Sequence, residues 1–231
     1  MSTLYIVATP IGNLEDITLR AIRILKEVEL ILCEDTRMTK RLLNKYEIST
    51  PTMSYHAQSK LSKVGKIFEL LEEGKNLALV SDAGTPTISD PGVLLVSQVK
   101  EKFGSETKIV PVPGASAVIS ALSASGVLSS EFTFLGFLPH KKGRETLFKE
   151  IAEAKRTTVF YESPHRIMKT LASLSSHLEA SLPSKRKIVV ARELTKIHEE
   201  FPEGTPAELL EYFNKNKERV RGEFVVIVSG K

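Results

Sequence analysis

Pro111-Val112-Pro113-Gly114-Ala115-Ser116-Ala117 is the stretch on which the fold turns. Neither proline has a backbone N–H to donate, so the run cannot continue a helix or a central strand, and Gly114 supplies the freedom to turn. It closes a predicted strand at 109–112 and opens a small-residue helix over 115–124. A boundary placed there divides the 231 residues into an N-terminal domain, 1–112, and a C-terminal domain, 113–231. Each is long enough to bury a core of its own.

Working outward toward the N-terminus, apolar runs at 4–8, 30–33, 52–55 and 77–80 read as further strands, with helical patterns between them. Ile17, Ala21, Ile24, Leu25 and Val28 fall at helical spacing; a second helix follows Glu34-Asp35-Thr36-Arg37 to about Tyr46. A third, 59–73, stops at Gly74, which suits the left-handed residue that closes a helix. A fourth covers 93–103. Toward the C-terminus, strands are predicted at 132–137, 157–161, 188–191 and 224–228. Thr205-Pro206-Ala207-Glu208 marks the clearest helix start, with an N-cap threonine, a proline at the first helical position and a capping-box glutamate. Strands alternating with helices define the α/β class, here as two domains joined at the Pro-Gly hinge.

Hydrophobic residues at 42% and charged residues at 26% are ordinary globular values, which sets aside disorder, collagen and coiled coils. No run reaches the roughly 18 apolar residues of a membrane span, and the first apolar run lacks a basic leader, so a cytoplasmic protein with no membrane partner is expected. The one cysteine, Cys33, can form neither an intramolecular disulfide nor a Cys-rich zinc site. The net charge of +4 lies wholly in the second half: 1–115 hold 14 Lys+Arg and 14 Asp+Glu, whereas 116–231 hold 18 and 14. That asymmetry suits a polyanionic partner, although a solvated lysine-rich surface is the plainer reading. The four aspartates, Asp16, Asp35, Asp82 and Asp90, all lie in the first half at loops or helix starts.

Several chemistries are excluded by absent motifs. There is no Gly-x-Gly for a dinucleotide, no Gly-Lys-Ser/Thr for a phosphate loop and no Gly-x-Ser-x-Gly elbow. The five histidines, His56, His140, His165, His177 and His198, lack metal-protease spacing, and no metal is expected. What remains is a set of loops after strands, the edge where open α/β sheets bind ligands. Thr9-Pro10-Ile11-Gly12-Asn13 taken alone is an ordinary connection. The stretch 81–92, Ser-Asp-Ala-Gly-Thr-Pro-Thr-Ile-Ser-Asp-Pro-Gly, packs carboxylates, hydroxyls and free amides in one place, as a site for a polar small molecule would; the plainer reading is a loop satisfying its own backbone through Asx turns. Val112 to Ala117 opens into a helix N-terminus where small side chains let a flat ring approach the main chain. In the second half Tyr161-Glu162-Ser163-Pro164-His165-Arg166 and 191–200 follow strands and carry mixed ionisable groups, of which Glu199 and Glu200 read as merely exposed.

Taken together these loops, with Gly222-Glu223-Phe224-Val225-Val226, resemble the tetrapyrrole methylase superfamily, and within it the bacterial branch that 2′-O-methylates a cytidine of small-subunit ribosomal RNA. The resemblance runs from residue 4 to residue 230, and the Arg192-Glu193-Leu194-Thr195-Lys196 run and the 81–92 loop make it specific. It implies a methyltransferase of two α/β domains, usually a homodimer, with S-adenosyl-L-methionine in the cleft between the domains. Carried over loop by loop, it implies cofactor contacts at Pro10, Asp82, Gly84, Thr85, Ile88, Ser116, Ala117, Tyr161 and Ala191. The partner implied is ribosomal RNA or the small subunit rather than DNA, with Arg37, Lys141, Lys142, Arg144, Arg166 and Lys196 as phosphate contacts. Many members carry a further C-terminal segment, and this chain departs from that pattern by stopping at Lys231, which leaves any RNA or partner contact of that segment outside what the resemblance implies.

Attack of a ribose hydroxyl on a sulfonium methyl needs alignment and removal of a proton. Glu34, Asp35, Glu162 and Glu193 are candidate bases and Arg37, Arg192 and Lys196 candidate cations. Of these, Glu193 is expected to orient or deprotonate the hydroxyl and Arg37 to hold a neighbouring phosphate; alternatively Arg192 or Glu193 belongs to an ion pair tying the domains together. Two other functions are to be weighed: methylation of a small tetrapyrrole, against which stand Lys141-Lys142-Gly143-Arg144 and Lys185-Arg186-Lys187, and a non-catalytic RNA-binding assembly factor.

Overall fold

The computed structural model describes residues 1–56, 61–179 and 186–231. The expected helix start at Ser59 and the basic residue Lys185 lie outside them. The chain divides into two compact units, Met1–Ser116 and Ala117–Lys231. Residues 113–116 stay with the first unit because their backbone packs there. A Cβ on Gly114 would lie 2.8 Å from the Ala8 Cβ, and Thr85 Oγ1 donates to the Ala115 carbonyl at 3.1 Å.

The first unit runs β1 (Ser2–Val7), α1 (Leu19–Glu27), β2 (Leu30–Cys33), α2 (Thr36–Lys45), β3 (Thr52–Ser54), α3 (Leu61–Glu72), β4 (Leu77–Leu79), α4 (Gly92–Phe103) and β5 (Thr107–Val112). Its five strands form a parallel sheet in the order β3-β2-β4-β1-β5. Pro111 sits on β5, an edge strand, where a residue with no backbone donor is tolerated. Both faces are covered: Leu4, Leu32, Leu77 and Leu79 pack with Ile67, Leu71, Leu95 and Val99 of α3 and α4, while Val7, Ile31, Cys33 and Ala78 pack with Ala21, Leu25, Leu42 and Leu43 of α1 and α2. Burial on two faces is why these strands read as unbroken apolar runs. At the end of α3, Gly74 takes φ +81°, and the Gly74 and Lys75 amides, each at 3.0 Å, bond back to Leu71 and Leu70.

The second unit runs α5 (Ala117–Ala124), β6 (Phe132–Phe137), α6 (Arg144–Glu153), β7 (Thr157–Glu162), α7 (Ile167–Glu179), β8 (Ile188–Arg192), β9 (Glu203–Gly204), α8 (Pro206–Lys215) and β10 (Phe224–Val228). The sheet order is β6-β7-β10-β8-β9, with β6 and β7 parallel and the other pairs antiparallel. Phe148, Leu171, Leu174, Leu209 and Phe213 of α6, α7 and α8 bury one face against Phe160, Val190, Phe224 and Val226, and α5 packs on β10. The capping box at Thr205 and Glu208 forms as read.

One irregularity matters for the site. Phe134 of β6 lies opposite Val159 and Phe137 opposite Tyr161, so three steps along β6 match two along β7, with Gly136 at φ +63°. Regular alternation would put Phe134 and Phe137 on opposite faces. The extra residue returns them to one face, and both rings lie against Tyr161 with centroids 5.0 and 5.3 Å away.

Candidate active site

In a parallel sheet, ligands bind beyond the carboxyl ends of strands where neighbouring connections leave in opposite directions. In the first unit that point lies between β1 and β4, since the chain leaving β1 runs to β2 and the chain leaving β4 crosses to β5. The two loops are tied together there. Thr9 and Gly84 exchange backbone hydrogen bonds of 2.9 and 3.0 Å, and Thr9 Oγ1 donates to the Ser81 carbonyl at 3.1 Å. Gly84 holds φ +79°, which a side chain would resist. Pro10 and Gly84 are buried and shape the turn, whereas Asp82 and Ile88 are exposed and Thr85, Ser116 and Ala117 partly so.

Asp90 accounts for the plainer reading of the 81–92 loop: its two oxygens accept from the Thr87 and Gly92 amides at 2.7 Å each. Self-satisfaction does not explain the whole loop. Thr87 and Ser89 hold φ +76° and +63° without being glycine, the kind of stored strain that gathers at ligand sites. Asp82 also bridges to the next loop, its Oδ1 accepting from the Asp35 amide at 3.0 Å.

Four carboxylates, Glu34, Asp35, Asp82 and Asp90, thus end at one sheet edge. Burial pushes the Glu34 pKa up and the charges of Asp82 and Asp90 add to it, against smaller opposing effects of the Asp82 amide and His56. Asp35 is held down at about 2, chiefly by hydrogen bonds from the Arg37 side chain and amide. That pair is bidentate, Arg37 Nε to Oδ1 at 3.1 Å and Nη2 to Oδ2 at 2.7 Å, and the Arg37 side chain stays 88% exposed. Asp35 is therefore no proton acceptor near neutral pH.

The second unit corrects several expectations. Glu162 is wholly buried; its Oε1 accepts from the Ser163 amide at 2.8 Å and pairs with Arg166 Nε at 2.7 Å, and its Oε2 accepts from Thr170 Oγ1 at 2.6 Å and faces Arg144 Nη2 at 3.4 Å. Arg144 and Arg166, expected as phosphate contacts, have side chains only 13% and 15% exposed and neutralise this carboxylate instead. Glu162, with both oxygens engaged, leaves the set of candidate bases.

Glu193 is held on one oxygen. Its Oε1 accepts from Lys196 Nζ at 2.8 Å and from the Glu223 amide at 3.1 Å, in a space kept open by Gly222. Partial burial works to raise the Glu193 pKa, but the Lys196 hydrogen bond, the Glu223 amide and the nearby cations outweigh it and the net shift is downward. Lys196 bonds Glu223 as well, at 2.8 Å, so its charge is spent locally rather than kept for a phosphate. Arg192 is buried and bonds Glu200 Oε1 at 3.1 Å and the Arg221 carbonyl at 2.9 Å. Glu200, expected to be merely exposed, also accepts from Tyr212 and Arg219. These partners are all residues of the second unit. Ala191 is fully buried in β8 and offers a ligand no surface. Tyr161 receives the Val118 amide on its hydroxyl, whose pKa burial raises. Lys141 and Lys142 are exposed.

The family model described as Tetrapyrrole (Corrin/Porphyrin) Methylases matches residues 3–210, and the chain belongs to the tetrapyrrole methylase family. Within it, the chain is 47% identical over 231 residues to "Ribosomal RNA small subunit methyltransferase I" of Bacillus subtilis (strain 168), covering 100% of this chain and 76% of that relative. It is 46% identical to the protein of the same name from Thermotoga maritima, covering 100% of both. Among solved structures, the cobalamin biosynthetic enzyme cobalt precorrin-4 methyltransferase superimposes with a TM-score of 0.71, covering 98% of this chain and 94% of that one at 18% identity, a likeness of fold alone. Membership brings methyltransferase activity and S-adenosyl-L-methionine as methyl donor, as the resemblance implied.

The first-unit edge fits that donor. Its sulfonium and α-amino groups are cationic and its ribose carries two hydroxyls, and Glu34 sits in a negative field that a cation relieves. The missing Cβ atoms of Gly84 and Gly114 let these loops close on Ile11 and Ala8, which fixes the edge in shape.

Proposed function

We propose that the protein transfers the methyl group of S-adenosyl-L-methionine to the ribose 2′-hydroxyl of a cytidine in small-subunit ribosomal RNA. The observation that carries the reading is the likeness, over the whole of this chain, to the Bacillus subtilis and Thermotoga maritima relatives at 47% and 46% identity. Likeness to tetrapyrrole-modifying enzymes is confined to the fold, at 18% identity, which disfavours a small tetrapyrrole substrate. In this reading Asp82, Thr85, Ile88 and Ser116, exposed or partly exposed, meet the cofactor around the turn shaped by the buried Pro10 and Gly84.

The bound donor supplies an electrophilic methyl; its transfer to oxygen leaves a neutral thioether and releases one proton. Of the four candidate bases, Glu34 is the one with no lysine or arginine paired to it among the described residues, and its raised proton affinity suits it to take that proton. Arg37, exposed and oriented by Asp35, anchors a neighbouring phosphate. A homodimer working in the cytoplasm completes the reading. Calorimetry with S-adenosylhomocysteine on wild type, Asp82→Ala and Ser116→Tyr tests the site, with weakened binding expected in both variants. Incubation with small-subunit RNA, followed by nuclease digestion and mass spectrometry, tests the reaction. Methylated tetrapyrrole in place of 2′-O-methylcytidine would replace the substrate, and RNA binding with no product would make the protein an assembly factor.

A further inference from the structure

We propose that the exposed ring of Phe137 is a stacking platform for an unpaired base of the RNA, with Lys141 and Lys142 meeting the flanking phosphates. The buried Glu162, acting through Arg144 and Arg166, positions the loop that carries these lysines. The inference rests on the RNA methyltransferase reading and adds how the substrate is held.

The geometry begins at the β6 bulge. Gly136 rotates Phe137 onto the face of Tyr161, which fixes one side of the ring, yet Phe137 remains 58% exposed. One face of the ring is thus held against Tyr161 while the rest stays open to solvent, which leaves a flat apolar surface fixed in place at the strand end. The chain then enters 138–143. Arg166 Nη1 donates to the Leu138 carbonyl at 2.8 Å and Arg144 Nη1 to the Pro139 carbonyl at 3.0 Å, so two guanidinium groups grip this loop through its backbone. Both pair on the far side with the one carboxylate of Glu162, whose side chain is 0% exposed, with Thr170 Oγ1 completing the cluster. Gly143 at φ +82° turns the loop into α6, and the Arg144 amide bonds the Lys141 carbonyl at 3.2 Å.

The consequence is a division of labour among the cations. Arg144 and Arg166 share the carboxylate of Glu162 and Lys196 pairs with Glu193 and Glu223, whereas Lys141 and Lys142 stand exposed on the gripped loop with no carboxylate partner among the described residues. An uncovered aromatic ring followed four and five residues later by exposed lysines combines the two features that single-stranded RNA recognises, a sequence-tolerant π-face for stacking and cations that release counterions. The positive charge argues against an apolar protein partner. A buried carboxylate between two arginines is a poor way to gain stability and a good way to hold one geometry, here that of the loop.

The test titrates a fluorescent single-stranded fragment of small-subunit ribosomal RNA into protein saturated with S-adenosylhomocysteine, at several salt concentrations. Phe137→Leu is expected to weaken binding about tenfold without changing the salt slope, and Phe137→Trp to restore it. Lys141→Ala with Lys142→Ala should lower the slope by about 1.4. Glu162→Gln should raise KM for RNA with kcat at saturation and cofactor affinity retained; should it fail to fold, Thr170→Val loosens the same cluster and is read in the same way. Wild-type RNA affinity in Phe137→Leu overturns the stacking role, and loss of a dimer by that variant in sedimentation assigns the ring to a second copy of the chain. Wild-type protein that neither binds nor methylates the RNA brings down the functional reading itself, whereas normal methylation by every variant brings down this inference alone.

Discussion

Glu34 and Asp35 are neighbours in sequence with opposite affinities for a proton. Asp35 accepts from Arg37 through both oxygens and is held at about 2, while Glu34, partly buried and facing Asp82 and Asp90, is pushed up. A carboxyl whose folded pKa is raised contributes stability below its ordinary value, 4.5 here, and loses it as pH rises through the folded value. Glu34→Gln removes that loss. Thermal denaturation should show Glu34→Gln more stable than wild type near neutral pH, with the difference closing as pH falls toward 4.5. The same variant should lower kcat at saturating cofactor by about 100-fold, within the range of a general base. Unchanged turnover would return the proton to bulk water. None of this was legible beforehand: Glu34, Asp35, Glu162 and Glu193 were equivalent as letters, and only their partners separated them.

Among the elements, those with a local signature are legible in the sequence and those without one are not. Gly74 closes α3, and Thr205 opens α8 with its Oγ1 accepting from the Glu208 amide at 3.3 Å while Glu208 Oε2 accepts from the Thr205 amide at 2.7 Å. Thr205→Ala should therefore cost about 1 kcal/mol, seen as a lower denaturant midpoint with an unchanged slope. A loss near zero would mean that Pro206 alone holds the helix start. The two-residue strand β9 went unseen because two residues carry no period. The β6 bulge also went unseen, although an isolated glycine inside a strand pattern, Gly136, is its usual sign.

For the whole molecule, a cofactor that binds only the folded chain should stabilise it by mass action, about 2.7 kcal/mol at a hundredfold excess over Kd. S-adenosylhomocysteine should accordingly raise Tm by several degrees, and by less in Asp82→Ala at the same concentration. An equal rise in both would place the ligand away from the 81–92 loop. The α/β class, the order of the main strands and helices and the family were determined by the sequence alone, because apolar periodicity, caps and loop composition act over a few residues and need no partner. The position where the chain divides was decided by packing: Gly114 and Ala115 belong to the first unit through Ala8 and Thr85, which lie far away in sequence. Ionisable groups were decided the same way. Arg144, Arg166, Lys141 and Lys142 look alike as cations, but two of them fold against Glu162 and two stay in water, since a charge has no fixed role until the tertiary structure sets what lies within hydrogen-bonding distance of it.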